Sequence, residues 1–365
     1  MKVDILDLKQ RYQEEKVGLL RCIKRVLGKG NLILTPEVES FEKSVSKFTG
    51  SKYCLGVNSG TDALMLSLWS AGVRRGDEVI TSPISFIATS NSIRHIGATP
   101  VFVDVDDDLN INPDLIERTI TKKTKAIMPV HWTGRVCKMD KILRIAKKYN
   151  LLVIEDAAQA MGAYFNNRHA GTFGKISGFS AHPFKNLNAV GDAGFVITNE
   201  KKLYDKIKMY RNHGLKGRDN VEIVGINSRL DSLNAEILSF RLKRLKNIIS
   251  RKRKNIDYYK RYLKTPFLQL IPAGKKEKSS HSMFVTICEQ RDKLQKYLES
   301  FKIQTRVYYK TPLHLYKANK NLGYKKGDLP KAEELSNKFL SLPYHQHLKK
   351  SQIEFVCKKI NYFYS

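Results

Sequence analysis

The clearest chemical pattern in the sequence is a lysine that follows an acid, each within a distinctive stretch. FSAHPFKNLNAVGDAGF contains Lys185, and LLVIEDAAQAMG ends an apolar run on Glu155 and Asp156. A lysine near a desolvating, aromatic site can have a lowered pKa and react as a nucleophile with an aldehyde. An acid that follows a buried strand needs a partner, which a metal ion, a solvated turn or a protonated ring nitrogen would supply. Because the chain has 65 lysine and arginine residues, Lys185 alone carries little weight.

A third stretch, VNSGTDALMLSLWSAG, has the features of an anion site. Ser59, Gly60 and Thr61 lie where a predicted strand turns into a helix, and the unpaired amides and dipole of a helix start favour a phosphate. The alternative is an ordinary helix cap made by Thr61 or Asp62. No dinucleotide or P-loop pattern occurs, so a cofactor with a single phosphate is the economical interpretation. Phosphate anchor, carboxylate and lysine, in this order, match the needs of pyridoxal 5'-phosphate.

Short apolar runs alternate with helical patterns from about residue 50 to 200, after a predicted N-terminal helix at about 8–28. Seven strands are predicted by the runs KYCLGVN, DEVITSP, TPVFVDV, TKAIMPVH, LLVIEDA, KISGFSA and AGFVITN. This rhythm predicts an α/β fold with a mostly parallel central sheet flanked by helices. Such sheets bind ligands at the carboxyl ends of their strands, where Asp156 falls, with Gln159 in the following helical turn.

A long amphipathic helix is predicted at about 228–263, leading into a smaller α+β unit. Two strands, SHSMFVTI and KIQTRVYY, are predicted to bracket the helix DKLQKYLES, with closing helices near 331–340 and 350–361. We therefore divide the chain into a large cofactor-binding domain, residues 1–245, which includes the N-terminal helix, and a small C-terminal domain, residues 246–365.

The composition indicates a globular protein of a reducing compartment. Five scattered cysteines without a CxxC pair argue against disulfides and a zinc site, so we expect a cytoplasmic protein without a metal. The net charge of +30 is spread along the chain, no nucleic-acid-binding motif occurs, and runs such as RKRK at 251–254 are interpreted as solvated surface. No secretory stretch or membrane-spanning run is present. We expect neither a nucleic acid nor a membrane as partner.

These motifs resemble the DegT/StrS-type, pyridoxal-phosphate-dependent sugar aminotransferases, which have the aspartate aminotransferase (type I) fold. The similarity covers nearly the whole chain, through NSGTDAL, SPISFIATSNSIRHIGATPVFVDVD, PVHWTGR, IEDAAQAMGA, FSAHPFKNLNAVGDAGF, YRNHGL, NSRLDSLNAEIL and LSLPYHQHL. The resemblance implies amino transfer from glutamate to a keto-sugar, giving an amino sugar for cell-surface polysaccharide such as lipopolysaccharide. It also implies a homodimer with shared active sites.

The resemblance further implies roles for individual residues. Lys185 is implied to bind the cofactor aldehyde and later to move protons, and Asp156 to pair with the pyridinium nitrogen. The other implied cofactor contacts are Ser59, Gly60, Thr61 and Ser180 at the phosphate, Gln159 near the ring hydroxyl, Phe86 on the ring face, and Asn227 from the partner subunit. The implied substrate-binding residues are His182, Asn188, His213, Arg229, Tyr308 and His314.

Two departures from the family pattern bear on the substrate. The family's GDGG or GEGG is here GDAG, which the backbone accommodates if Ala193 has a negative φ, and the usual His-Leu-Tyr-Gly is here HWTG at 131–134. Lys-Asn-Leu followed by Gly-Asp resembles enzymes that aminate C3 of a nucleotide-linked 3-keto-deoxyhexose. His-Pro before the lysine, Asn188, HGLKGRD and the Trp-Thr loop also resemble enzymes that form an 8-amino product from an eight-carbon keto-sugar acid related to Kdo.

Two other classes of function are less consistent with the sequence. A pyridoxamine-dependent sugar dehydratase shares the fold but has a histidine at the lysine position, so Lys185 argues against it. A non-catalytic regulatory relative is expected to lack Lys185 or Asp156, and both are present.

Overall fold

The computed structural model describes residues 1–271, 274 and 276–365. The α-helices are α1 Leu8–Leu27, α2 Pro36–Thr49, α3 Gly60–Ser70, α4 Ala88–His95, α5 Met139–Lys148, α6 Lys201–Tyr210, α7 Ser232–Tyr262, α8 Arg291–Ser300, α9 Pro330–Lys338 and α10 Lys350–Phe363. The strands are β1 Tyr53–Val57, β2 Glu78–Thr81, β3 Thr99–Phe102, β4 Thr124–Met128, β5 Leu152–Asp156, β6 Tyr164–Phe165, β7 Arg168–His169, β8 Ile176–Ser180, β9 Gly194–Thr198, β10 Leu268–Leu270, β11 Glu277–Lys278, β12 Val285–Cys288 and β13 Phe339–Ser341.

The seven predicted strands form one sheet in the order β1-β9-β8-β5-β4-β2-β3. The pairs β2–β3, β2–β4, β4–β5 and β5–β8 are parallel, whereas β9 is antiparallel to both of its neighbours, β1 and β8. The prediction of a mostly parallel sheet is therefore confirmed. The carboxyl ends of β1, β5 and β8 share one edge, where Val57, Asp156 and Ser180 end their strands and Gly194 begins β9.

Both faces of this sheet are covered by helices, which explains why its strands read as continuous apolar runs. On one face, Leu64 and Leu68 of α3 pack in a buried cluster with residues of the strands. On the other face, Phe41 of α2, Ile142 of α5 and Leu238 of α7 belong to a second buried cluster. The α/β class with helices on both sides of the sheet is confirmed.

The helix α7 joins the sheet core to a C-terminal core. Ile249 packs in the sheet core, whereas Ile256 packs with β10, β12, α8 and α10, in a cluster that also contains Val3. The N-terminal residues thus belong to the C-terminal core, although α1 lies against α7. The division into residues 1–245 and 246–365 falls inside α7 and stays a prediction.

The prediction of a strand at KIQTRVYY is wrong. Ile303 and Arg306 form only isolated bridges, with Val3 and Ser341 respectively, and the third strand of the C-terminal sheet is β13. The backbone turns at Lys302, whose φ is 59°, and the segment then runs towards a cavity instead of along the sheet. A pattern of apolar and polar residues cannot distinguish these two paths.

The interpretation of RKRK as a solvated surface is wrong at one position. Lys252 is 4% exposed, whereas Arg253 and Lys254 are exposed. Lys252 lies three residues after Ile249 and four before Ile256, so it falls on the buried face of α7. The helical period, not the charge of the run, decides where each side chain points.

The described residues hold no helix long and apolar enough to cross a membrane. Among the same residues, no group of three or more acidic, histidine or cysteine side chains is arranged to bind a metal ion. All five cysteines are free and buried.

Candidate active site

A cavity of about 350 Å³ opens where β1, β5 and β8 end. It is lined by most of the residues predicted to bind the cofactor and by two predicted to bind substrate: Ser59, Gly60, Thr61, Phe86, Asp156, Gln159, Ser180 and Lys185, with His182 and Tyr308. The C-terminal part of the chain adds Ser282, Met283, Arg306 and Tyr344 to the wall. The cavity therefore lies between the two cores, and the fold brings together stretches that are distant in sequence.

The anion site is built by the first turn of α3. Ser59 is the helix cap, because its Oγ accepts a hydrogen bond of 3.1 Å from the Asp62 amide, and the caps predicted at Thr61 or Asp62 are not formed. A Cβ on Gly60 would lie 2.6 Å from the Cβ of Ser180, so only glycine permits this close approach. The start of the helix, with its positive dipole end, borders the cavity next to a serine hydroxyl.

Asp156 is a buried carboxylate at the floor of the cavity. Its Oδ2 accepts a hydrogen bond of 2.7 Å from Thr89 Oγ1, and its Oδ1 accepts one of 3.2 Å from the Ala158 amide. Burial raises the pKa of Asp156, while the hydroxyl of Thr89 and the charge of Lys185 oppose this rise. The backbone of Asp156 is held on both sides, because its amide donates to Pro129 O and its carbonyl accepts from the His131 amide.

The neighbouring carboxylate, Glu155, points away from the cavity. It accepts hydrogen bonds from the amides of Gly171 at 2.7 Å and Gly174 at 2.6 Å, and its Oε2 lies 2.8 Å from His131 Nε2. The amide of Cys137 donates to His131 Nδ1, so His131 donates its Nε2 proton to Glu155. Glu155 therefore serves the packing behind β5, and Asp156 alone of the pair faces the cavity.

Lys185 borders the cavity and keeps some exposed surface, but protein atoms surround its amine densely. Desolvation by burial lowers the pKa of Lys185 to about 8, and the charge of Asp156 limits this shift. The amine is therefore neutral in an appreciable fraction of molecules near neutral pH, which a nucleophile requires. His182 stands beside it, and burial together with the Lys185 charge lowers the pKa of His182.

An amide and two aromatic rings form the opposite part of the wall. Gln159 Oε1 accepts a hydrogen bond of 2.7 Å from the Thr133 amide, which fixes the Gln159 side chain. The rings of Phe86 and Tyr309 lie with centroids 5.8 Å apart, and Phe86 is 53% exposed. An exposed aromatic ring at a cavity mouth is suited to stack on a flat ligand.

The GDAG departure from the family pattern is accommodated by the backbone. The prediction required that Ala193 not have a positive φ, and this is the case. Ala193 is also buried. The position that needs glycine is Gly194, where a Cβ would lie 2.2 Å from Ser59 O. The methyl group of Ala193 therefore leaves the contact between β9 and the anion site unchanged.

Two predicted substrate residues lie inside the protein and outside the cavity. The Asn188 side chain donates a hydrogen bond of 2.7 Å to Pro183 O. His314 is 1% exposed, and its Nε2 lies 3.1 Å from Glu333 Oε1. Because these contacts use internal partners, a role of either residue in substrate binding stays a prediction.

Three further predicted residues lie in the segment before α7, also outside the cavity. His213 and Asn227 are exposed, and Arg229 donates a hydrogen bond of 3.1 Å to Asn212 Oδ1. The same segment touches the anion site through Ser228, whose hydroxyl donates 2.7 Å to Asp62 Oδ2. Their contacts with cofactor or substrate stay predictions.

Sequence reasoning missed several residues of the cavity wall. Thr89, the second residue of α4, is one of them, because its hydroxyl donates to Asp156 and also contacts the hydroxyl of Ser85, which precedes the helix. Arg306 was assigned to a strand, and its guanidinium instead lies over the Phe184 ring at 5.3 Å. Ser85 lies outside α4, so no helical spacing marks Thr89, and the path of Arg306 depends on tertiary packing.

The cavity residues fit pyridoxal 5'-phosphate. The start of α3 and Ser180 form a concave surface that a Cβ at position 60 would fill, which suits a phosphate. Asp156 is a buried carboxylate that would hold a protonated ring nitrogen, and Lys185 has the depressed pKa of an amine that would bind the aldehyde. When bound, this cofactor supplies an electron sink for the transfer of an amino group.

The fold and this combination of lysine, carboxylate and anion site define a pyridoxal-phosphate-dependent aminotransferase. The chain belongs to the DegT/DnrJ/EryC1/StrS aminotransferase family, whose sequence pattern matches residues 13–361. The predicted fold, enzyme class and cofactor are thereby confirmed.

Similar proteins span the full length of the chain. It is 40% identical to the "Pleiotropic regulatory protein" of Geobacillus stearothermophilus, with 100% of this chain and 99% of the relative covered. It is 39% identical to the dTDP-3-amino-3,6-dideoxy-alpha-D-galactopyranose transaminase of Aneurinibacillus thermoaerophilus, with 98% and 99% covered. The crystal structure of DesV from S. venezuelae superimposes with a TM-score of 0.97 at 35% identity, covering 100% of this chain and 99% of DesV.

Proposed function

We propose that this aminotransferase moves the amino group of glutamate to the C3 ketone of a nucleotide-linked deoxyhexose. The observation that carries the proposal is the meeting of Lys185 and Asp156 in one cavity beside the start of α3. The 3-amino product in the name of the Aneurinibacillus thermoaerophilus relative supports the choice of carbon. Lys185 is the group that takes up and returns the proton, because its pKa of about 8 lets the amine exist in both forms near neutral pH.

The cavity wall offers groups for both substrates. Arg306 is a guanidinium in the wall, and it would bind a carboxylate of glutamate. His182 and Tyr308 present a ring nitrogen and a hydroxyl that suit the hydroxyl groups of a sugar. Arg306 and Tyr308 belong to the C-terminal part of the chain, whereas His182 follows β8 beside Lys185.

The Trp-Thr loop and Asn188 give little support to the alternative substrate, an eight-carbon keto-sugar acid. Trp132 is 1% exposed and packs on Phe339, and the Thr133 amide is bonded to Gln159. Asn188 likewise has an internal partner. Because these residues are engaged in packing, they do not carry an argument about the substrate.

We further propose a homodimer in the cytoplasm, in which Asn227 reaches the phosphate of the partner subunit's site. Exposed apolar side chains surround the groove between α1 and α7, including Leu20, Leu32, Ile33 and Val190. Such a patch is typical of a surface that another chain covers. Asn227 is exposed and outside its own cavity, as a residue donated to a second subunit must be.

The test is amino transfer with defined substrates. Purified protein loaded with pyridoxal phosphate is incubated with glutamate and a nucleotide-linked 3-keto-deoxyhexose, its 4-keto isomer or an eight-carbon keto acid, and the amino product is followed by mass. We expect product with the 3-keto-sugar. Product from another substrate alone overturns the choice of substrate, and failure with every keto-sugar overturns the function.

A further inference from the structure

The chain segment that follows Lys185 passes through a cluster of buried charged residues. Arg11 and Glu15 of α1 and Arg241 and Lys252 of α7 are between 2% and 6% exposed. None of the four lines the cavity. Four ionisable side chains inside a protein need partners, because an uncompensated buried charge is costly.

The three basic side chains of this cluster bind oxygen atoms of residues 186–189. The Arg11 guanidinium donates to Asn186 O at 3.4 and 3.5 Å, and Lys252 Nζ donates to Asn186 Oδ1 at 2.7 Å. Arg241 Nη1 donates to the carbonyl oxygens of residues 188 and 189 at 2.8 and 3.3 Å. The segment directly after Lys185 is therefore held by charge-assisted hydrogen bonds, which are stronger than neutral ones.

Glu15 ties the two arginines together. Its Oε1 accepts from Arg11 Nε at 3.2 Å, and its Oε2 accepts from Arg241 Nε at 2.8 Å. One carboxylate thus serves two guanidinium groups, and Lys252 takes the side-chain oxygen of Asn186 as its hydrogen-bond acceptor. The neutral oxygens of the 186–189 segment are part of what makes the buried positive charges tolerable.

Asn186 also connects the Lys185 segment to the opposite wall of the cavity. Its Nδ2 donates 2.7 Å to Ser280 O, two residues before the cavity residue Ser282. Lys252 Nζ lies 4.8 Å from the ring centroid of Tyr344, which lines the cavity as well. The Lys252–Asn186 pair therefore lies between the segment that follows Lys185 and the segments supplied by the C-terminal core.

We propose that Arg11, Arg241 and Lys252, with Glu15 as counter-ion of the arginines, form a hydrogen-bonding clamp that positions Lys185 against the C-terminal wall of the cavity. Lys252 acts through the side chain of Asn186. The inference rests on the proposed role of Lys185 as the residue that binds the cofactor aldehyde. The clamp members are positioning residues, because none of them borders the cavity.

The test follows the rate at which Lys185 is trapped. Cofactor-free protein is mixed with pyridoxal phosphate, reduced with borohydride after set times, and digested, and the Lys185 peptide is measured by mass. Lys252→Met removes the Nζ donor and keeps a long unbranched side chain, and Lys254→Met is the matched control on the exposed face of α7. We expect Lys252→Met to slow trapping by about tenfold or more, as for the loss of one hydrogen bond to a charged group.

Two further variants separate positioning from general damage. Lys252→Arg keeps N–H donors in a different geometry, so we expect it to trap faster than Lys252→Met and more slowly than the wild type. Asn186→Ala removes the acceptor, and we expect the double variant with Lys252→Met to be no slower than the slower single variant. In the matching double-mutant cycle of Asn186→Ala with Lys254→Met, we expect the effects of the two substitutions on the trapping rate to add.

The outcomes are distinguishable from failure of the proposed function. If the wild type traps cofactor at a lysine other than Lys185, the proposed function fails. If the wild type traps at Lys185 and folded Lys252→Met does so equally fast, the clamp is wrong. If Lys252→Met does not fold, Asn186→Ala decides, and trapping at the wild-type rate in that variant overturns the proposal.

Discussion

Two lysines in the interior have contrasting surroundings. Burial lowers the pKa of Lys185 to about 8 and that of Lys252 to about 7. Lys185 borders the cavity and faces Asp156, whereas Lys252 is bonded to Asn186 and lies over the ring of Tyr344. Both lysines thus have a lowered pKa, although Lys185 is positioned to react and Lys252 holds the segment that follows Lys185. What distinguishes them is access to the cavity, and each of the following experiments tests that distinction.

The largest expected effect is that of Lys185→Ala on amino transfer. Loss of the amine removes both the attachment point for the aldehyde and the proton acceptor, so we expect activity to fall by about a thousandfold or more. The measurement is amino-sugar formation from glutamate and keto-sugar, with Lys254→Ala as the control. Retention of activity within about tenfold would show that cavity access does not identify the reactive lysine.

The same distinction applies to the two adjacent carboxylates. Asp156→Asn removes the charge that faces the cavity, and we expect activity to fall on the order of a hundredfold or more. Glu155→Gln is the matched control, and we expect it to lower the melting temperature because Glu155 binds two loop amides and His131. Equal losses of activity without a change in melting temperature would contradict the assignment of the two roles.

Chemical labelling compares the two lysines directly. In cofactor-free protein at about pH 8.5, we expect acetic anhydride to modify Lys185 roughly a hundred times faster than Lys252, because Lys252 reacts only after local opening. Peptide mass spectrometry gives both rates in one sample, and labelling in urea gives the reference for each peptide. Faster labelling of Lys252 would mean that the lower pKa, not access, controls reactivity.

The smallest expected effect is a pH dependence of stability. The pKa of Lys252 is about 7 in the folded state and about 10.4 in the unfolded state, so the unfolded state binds more protons between these values. Protonated Lys252 therefore destabilises the folded state below pH 7, and this destabilisation decreases as the pH rises. We expect this residue to add about 2 kcal/mol to the free energy of unfolding between pH 7 and 9.

Urea unfolding of the wild type and of Lys252→Met at both pH values measures this contribution. We expect the variant to lack the rise, whereas Lys254→Met should keep it. An identical pH slope in Lys252→Met and the wild type would show that Lys252 is ionised to the same extent in both states.

The sequence predicts the parts of the site that depend on short stretches. The seven apolar runs, the order of anion site, acid and lysine, and the glycine turn after Lys185 are all local patterns, and each is present in the fold. Lys252 was missed because a run of basic residues was interpreted by its charge, although its spacing from Ile249 and Ile256 matches one face of a helix.

The remaining errors concern contacts between distant parts of the chain. Arg306 and Tyr308 reach the cavity because their segment leaves the C-terminal sheet, and no local period reports that path. The packing of Val3 in the C-terminal core is equally invisible in its own neighbourhood. In our proposal the partner of the exposed Asn227 lies on a second chain, so the residues around Asn227 in the sequence carry no sign of the contact.

The antiparallel strand β9 has a consequence for the order in which the protein matures. It is the last of the seven sheet strands along the chain, yet it inserts between β1 and β8, with Gly194 opposite both Val57 and Ser180. A growing polypeptide is made from its N-terminus, so the strand that pairs with both Val57, before the anion site, and Ser180, before Lys185, is incomplete until Thr198 has left the ribosome. We therefore expect nascent chains that end before Thr198 to lack a complete cofactor site.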